Sequence, residues 1–334
     1  MSALGDVALT VPTIQSVLNS DNDIKIFMLS KSFHSPLFND DRITFIEADL
    51  YNKHKGIFGL NRLVKEILSS YKIDIVVDLH NVIRTKIIRK LFAFRAVKSV
   101  YLKKDRARIN KIINKQESLL ELNHITSRYL EVFNQVISRS KLINSKWLSY
   151  NSDNLLNNID FKKKTIGIAP FSAHRSKQWG FDKVSSLIKQ ELDYNFILFG
   201  GGEDEINKLS ILENQHVNCT SIAGKFSLSD ELSIMDKLDL MISMDSANMH
   251  LATLVGIPVI SIWGSTHSYL GYSPLNNEKN IIEISVNDLK CRPCSIYGKL
   301  SNTKLEKCGH LCMENISVEN VIRKIKEVFK SLPN

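Results

Sequence analysis

Four short stretches of this chain combine glycines, hydroxyls, acids and bases in the way that phosphate and sugar chemistry requires, and three of them follow an apolar run of strand length. In the most informative, Met241–His250, an apolar run ends at Asp245 and Ser246, and a helix opens with small and polar residues, Ala247 and Asn248. Such an opening leaves helix-terminal amides free for an anion. His250 falls inside that helix, where a lone histidine is more often structural than catalytic, and it is given a supporting role. The stretch Pro170–Trp179 holds Ser172, His174, Arg175, Ser176 and Lys177, enough donors for several charge-assisted bonds to a diphosphate. A solvated basic loop would look the same.

In Phe199–Glu205, Gly200, Gly201 and Gly202 follow a strand and Glu203, Asp204 and Glu205 open a helix. The spacing is not the Gly-x-Gly-x-x-Gly of a dinucleotide fold. These glycines would let a ligand approach the backbone, and Glu203 or Glu205 could accept from ribose hydroxyls. Acids in a first helical turn are also ordinary partners of the helix dipole. The fourth stretch lies at the start, where Gly5 permits a tight turn and Asp6 begins a helix. On the residues alone Asp6 is better explained as a helix cap than as a general base.

The elements that must position these residues alternate in a βαβ rhythm. Apolar runs at Ile24–Leu29, Ile43–Ile46, Ile73–Leu79, Thr165–Ala169, Phe196–Phe199, Leu240–Ser243 and Pro258–Trp263 are separated by helical spacing at Leu60–Tyr71, Phe181–Leu192, Ser229–Lys237 and Met249–Val255. This is the pattern of parallel sheets, whose ligands sit at the carboxyl ends of the strands. The polar stretch Asn151–Lys164 reads as a linker, which predicts an N-terminal domain over 1–155 and a C-terminal domain over 156–334, closed by an amphipathic helix at about 318–332.

A chain of 334 residues, 43% hydrophobic and 24% charged, suits two domains with a core each. No stretch approaches the roughly 18 uninterrupted apolar residues of a membrane span, and no leader-like start is visible, so a cytoplasmic protein is expected. The 44 Lys and Arg against 35 acids give +9, which suits an anionic partner. The basic residues are spread along the chain with no finger, RNP or basic-zipper pattern, so nucleic acid is not expected.

Taken in this order, the four stretches resemble glycosyltransferase family 9, the family of the lipopolysaccharide heptosyltransferases. The resemblance covers nearly the whole chain. It rests on Gly5-Asp6 with Pro12, on Ser172–Trp179, on the glycine turn with Glu205, and on Asp245–His250 followed by Gly256-Ile257-Pro258 and Gly264-Ser265-Thr266. It implies an α/β chain of GT-B fold, two Rossmann-like lobes with parallel sheets facing across a cleft. It also implies transfer with inversion, without a metal or other cofactor, from a nucleotide sugar held by the C-terminal lobe, ADP-heptose first among the candidates. On the family's pattern Asp6 is the catalytic base. Ser172, Lys177, Gly201, Gly202, Glu205, Asp245, Ser246, Ala247 and His250 form the donor site.

The acceptor expected from the resemblance and the charge is an anionic glycolipid at the inner membrane face, met by the N-terminal lobe through His80, Asn81 and Arg84. Lys53, His54 and Lys55 add positive charge there. Such an enzyme would work peripherally at the membrane without a transmembrane segment. Ala247 stands where the family shows glycine. The family's first strand precedes the Gly-Asp turn, so the N-terminal lobe is expected to lack that strand. A nucleotide-sugar epimerase and a non-catalytic nucleotide-sugar binding protein are the competing readings. Cys291, Cys294, Cys308 and Cys312 have a spacing that could hold zinc, but free thiols are the first expectation and no metal is required.

Overall fold

A computed structural model describes residues 3–137, 140–143, 146–150, 161, 163–303, 308 and 310–332. The chain divides into two compact units, Met1–Asp105 with Asn123–Ser145, and Arg106–Leu122 with Lys146–Asn334. Most of the expected linker, Asn151–Lys164, lies outside the described residues.

The first unit opens with α1 (Leu4–Ala8) and α2 (Val11–Ser20), followed by β1 (Ile26–Ser30), β2 (Ile43–Glu47), α3 (Gly56–Ser70), β3 (Ile75–Asp78), α4 (Ile83–Ala93) and β4 (Lys98–Tyr101). After α5 (Arg106–Ile113), which belongs to the second unit, α6 (Ile125–Phe133) returns to the first. Pro12 stands in the first turn of α2, where its missing N–H costs nothing. On α3, Leu60, Leu63, Val64 and Ile67 recur at helical spacing and pack with Ile88 and Phe92 of α4.

The strands of this unit form two separate parallel pairs, β1 with β2 and β3 with β4. A cavity of about 330 Å³ is lined by Ile26 and Met28 of β1, Ile75 and Val77 of β3, and Ile14, Val17, Phe92 and Phe133 of the surrounding helices. The bordering strands are correspondingly half-buried along most of their length. The parallel strands of this unit, whose lobe is expected to lack its first strand, therefore stand as two separate pairs.

The second unit carries one continuous sheet. Its strands are β5 (Thr165–Ala169), β6 (Asn195–Leu198), β7 (Cys219–Ser221), β8 (Leu240–Met244), β9 (Val259–Trp263) and β10 (Ile281–Glu283), in the spatial order β10-β9-β8-β5-β6-β7. Every pairing is parallel. The inner strands β5, β8 and β9 are buried at every residue, which is why they read as unbroken apolar runs. The connecting helices are α7 (Phe181–Gln190), α8 (Glu203–Gln215), α9 (Leu228–Met235) and α10 (Ala247–Leu254), and the unit ends in α11 (Leu311–Glu314) and α12 (Val318–Ser331).

Helix α12 begins at Ser317, whose side chain accepts from the Asn320 amide. Val321, Ile325 and Val328 then bury one face in the core that includes Val184, Leu187 and Ile188 of α7. Each such side chain stabilises by about 1.5–3 kcal/mol, so this stripe docks the terminal helix against the sheet unit. The short strands β4, β7 and β10 were not among the expected runs. Their three or four residues carry too little periodicity to stand out.

Candidate functional site

Strand order in the second unit reverses at β5, which pairs with β6 on one side and β8 on the other. In open parallel sheets this reversal is the place where ligands bind, outside the carboxyl ends of the strands. The expected residues of those two loops converge at this place. Ser172 Oγ donates to the backbone carbonyl of Asp245 at 3.2 Å, and Gln178 Nε2 donates to the Ser172 carbonyl at 2.7 Å, closing the loop on itself. Lys177 Nζ lies 3.1 Å from Asp245 Oδ2, an ion pair with both side chains largely buried.

Asp245 Oδ2 also accepts from Thr266 Oγ1 at 2.8 Å, from the loop after β9. Loops from three adjacent strands, β5, β8 and β9, thus meet at one carboxylate. Thr266 was quoted in the family pattern without a role; its position directly beyond a strand was the available signal.

Ser246 precedes α10 in an extended conformation, and its hydroxyl lies 3.2 Å from Ser243 Oγ. The helix starts at Ala247, and His250 is buried one turn further along. At the end of neighbouring β6, Glu205 Oε2 accepts from the Gly201 amide at 2.9 Å, so this acid shapes the glycine turn. Gly202 precedes α8 with φ +87°, a conformation that a side chain resists, and a Cβ at Gly201 or Gly202 would meet nothing within 4 Å. The turn therefore offers open backbone at the same edge of the sheet as Lys177.

A buried arginine braces this edge, and no sequence pattern announced it. Arg292 is fully buried. Its Nε donates to the Gly264 carbonyl at 2.7 Å and its Nη2 to the Thr266 carbonyl at 2.9 Å; Nη1 donates to Ile284 O, and Nη2 pairs with Glu283 Oε2 at 2.9 Å. Carbonyl partners on both sides of Ser265 fix the loop that carries Thr266. Glu283 Oε1 accepts from Ser268 at 2.7 Å. Burial pushes the His267 imidazole down to about 4, so at neutral pH it faces Glu283 uncharged.

The stretch Cys291–Gly298 then runs across the Lys177 loop. Cys294 N donates to Ser265 O at 2.8 Å, Ser176 Oγ donates to Gly298 O, and Gly298, at φ +87°, lies against the Lys177 stem. Among the described residues no group of three or more His, Cys, Asp or Glu is placed to hold a metal ion. Cys312 is buried, Cys294 and Cys308 are half-buried and Cys291 is exposed.

In the first unit Asp6 lies in the first turn of α1, not at its cap, which is Ala3. Asp6 and His80 line the same cavity. His80 is held below the usual imidazole range, chiefly by burial and then by Lys104, while the Asp6 carboxylate opposes that shift. Asp78 Oδ1 accepts from the His80 and Asn81 amides at 3.0 and 2.8 Å, which fixes the turn after β3. Asn81 Nδ2 donates to Leu102 O at 2.7 Å and its Oδ1 accepts from Arg89 at 3.1 Å, so this side chain ties the turn to the strand end. Arg84 is exposed in the first turn of α4.

The family model for glycosyltransferase family 9 (heptosyltransferase) matches residues 61–302. The lipopolysaccharide core heptosyltransferase OpsX of Haemophilus influenzae is 25% identical, with 98% of this chain and 95% of that protein covered. Among solved structures, a family 9 glycosyltransferase from Veillonella parvula superimposes with a TM-score of 0.76 at 21% identity, covering 99% of this chain and 96% of that one. The E. coli heptosyltransferase WaaC with ADP gives 0.69 at 15% identity, covering 98% of each. The α/β GT-B class expected from the sequence is borne out by these folds. With a parallel sheet whose switch point gathers Ser172, Lys177, Asp245 and Thr266, and with a family model spanning most of its length, the chain belongs to glycosyltransferase family 9.

Proposed function

We propose that this glycosyltransferase moves heptose from ADP-heptose to a lipopolysaccharide core or related anionic glycolipid acceptor, with inversion and without a metal ion. The cluster of Lys177, Asp245 and Thr266 at the switch point carries the reading, because it puts a cation and hydroxyls beside open backbone amides where a diphosphate would lie. The names of the relatives, lipopolysaccharide heptosyltransferases, supply the sugar and the acceptor class.

In the proposed reaction the acceptor hydroxyl attacks the anomeric carbon while Asp6 takes its proton. A carbon–oxygen bond forms there as the bond to the phosphate oxygen breaks, and ADP departs with the bonding electron pair. Lys177 and the amides at the start of α10 offset the charge that grows on the leaving diphosphate. Glu205 and the glycine turn receive the ribose, and Asp245 and Thr266 orient the sugar end. Arg84 supplies positive charge to an anionic acceptor, and His80, whose burial favours the neutral ring, supplies a hydrogen-bonding imidazole.

The test is nucleotide release from ADP-heptose with and without a deacylated core acceptor, for wild type and Asp6→Asn. Transfer predicts acceptor-dependent release that Asp6→Asn reduces by about a hundredfold or more, with ADP affinity kept within a few-fold, since a base acts on the transition state more than on binding. Sugar isomerisation without acceptor would establish an epimerase instead, and nucleotide-sugar binding without turnover a binding protein. Near wild-type turnover in Asp6→Asn would remove Asp6 from the mechanism.

A further inference from the structure

Four large apolar side chains exposed to solvent on the first unit follow the carboxyl ends of β1 and β2, while Tyr71, Ile83, Phe94 and Tyr101 are exposed elsewhere on it. Phe33 follows β1, Tyr51 lies in the loop after β2, and Ile57 and Phe58 form the first turn of α3. Phe58 is 87% exposed and Tyr51 75%. Lys31, before Phe33, has its Nζ 6.0 Å from the centre of the Tyr51 ring, which brings the loops after β1 and β2 together. The parallel pairing of Ser30 with Glu47 brings the two strand ends side by side.

This apolar set is interleaved with cations. Lys31 stands two residues before Phe33, and Lys53 and Lys55 lie between Tyr51 and Ile57; Lys53 and Lys55 are exposed and Lys31 is half-buried. Of the nearby acids, Asp49 is turned to its own loop, accepting from the Asn52 and Lys53 amides at 3.1 and 3.2 Å. Glu66 pairs with Lys53 at 2.9 Å, and Glu47 is exposed at the end of β2. The loop has little freedom to fold these rings away. Its backbone is tied by Asp49 O, which accepts from His54 N at 2.7 Å, and His54 Nδ1 accepts from the Asp49 amide at 3.1 Å.

Aromatic and aliphatic tips ringed by lysines match one environment better than water or a protein groove. In the interfacial layer of an anionic bilayer, rings sit at headgroup depth and ammonium groups meet lipid phosphates. We propose that Phe33, Tyr51, Ile57 and Phe58, with Lys31, Lys53 and Lys55, form a face that inserts into the headgroup layer of an anionic phospholipid bilayer. The face deepens the acceptor reading above, since a bilayer is where a glycolipid acceptor resides, but it acts whether or not transfer occurs.

Co-sedimentation with vesicles of phosphatidylcholine, with and without phosphatidylglycerol, tests it on the full chain. Wild type is expected to bind the anionic vesicles, to release them in high salt, and to bind neutral vesicles at least about tenfold less. The double variant Ile57→Ser with Phe58→Ser is expected to lose at least about tenfold in anionic vesicle binding. Its melting temperature and ADP affinity should stay at wild-type values, because neither side chain is packed. The proposal is overturned if wild type does not prefer anionic vesicles, if the double variant binds them equally, or if wild type is a dimer that the double variant breaks, which would make the face a contact between copies. Absent ADP binding in both proteins would count against the donor site and leave the vesicle result standing.

Discussion

Substituting Gly298 by Ala tests whether the stretch Cys291–Gly298, a strap across the Lys177 loop, positions Lys177 in the proposed donor site. A Cβ there would stand 2.7 and 2.8 Å from Cγ and Cδ of Lys177, too close for either group to stay in place. Gly298 also has φ +87°, where a residue with a side chain costs about 1–2 kcal/mol. The lysine stem is the softer partner, so it moves, and the 3.1 Å contact with Asp245 Oδ2 is lost. A displaced Lys177 would also forfeit its proposed hydrogen bond to the diphosphate, worth about 1.5–3 kcal/mol for a charged pair, so kcat/KM for the nucleotide sugar should fall about 10–100-fold and ADP should bind more weakly. The melting temperature should drop by about 2–6 °C from the backbone cost. Gly180→Ala is the control, because its φ is +80° yet its Cβ would meet only the Lys183 stem at 3.9 Å, leaving Lys177 alone. Stopped steady-state assays over a donor concentration series, with ADP calorimetry, give the comparison. If Gly298→Ala lowers the melting temperature as the control does but keeps wild-type kcat/KM, the strap does not position Lys177 for the reaction.

Two further perturbations address one unit each. The gap between β1 and β3 has apolar walls and strand edges on both sides, and α1 opens beside it with Asp6 and Val7 in its lining. A six-residue apolar strand joined upstream of α1 should pair with both edges, raise the melting temperature by about 5–10 °C and slow amide exchange in Ile26–Ser30 and Ile75–Asp78. Unchanged melting and exchange would show that the gap takes no strand. In the second unit, burial pushes the Glu231 carboxyl from 4.5 up to about 7. Its folded form holds a proton that the unfolded form has lost between those values, so this group's contribution to stability falls as pH rises from 4.5 to about 7. Glu231→Gln should leave stability at pH 4.5 nearly unchanged and raise it at pH 8, by up to about 3 kcal/mol, read from melting curves at both pH values. Parallel curves for the two proteins would show that burial of this carboxylate has no such cost.

The second unit was largely legible because its inner strands are buried on both faces, so Thr165–Ala169 and Leu240–Met244 read as plain apolar runs and the residues after them stand out. Lys177 and Asp245 were identified separately, one from a basic loop and one from a strand end, and the fold places them 3.1 Å apart. Arg292 was invisible for a physical reason. Its value lies in carbonyl acceptors from Gly264, Thr266 and Ile284, and backbone acceptors leave no trace in residue types. The cap assigned to Asp6 missed because α1 starts two residues earlier, at Leu4, where no capping side chain marks the boundary. Asn81 was chosen as a polar residue after a strand, and its side chain has a structural task there.

Asp245 gives the proposed donor site a resident counter-ion. Its carboxylate already neutralises Lys177 and occupies the Thr266 hydroxyl. An arriving phosphate therefore does not fall into an open cationic trap; it must win the lysine from a partner that cannot diffuse away. A lone phosphate has only its charge to offer in that exchange. A ligand that also brings hydroxyls for the freed carboxylate can complete the swap, which favours sugar phosphates over bare anions at the same concentration.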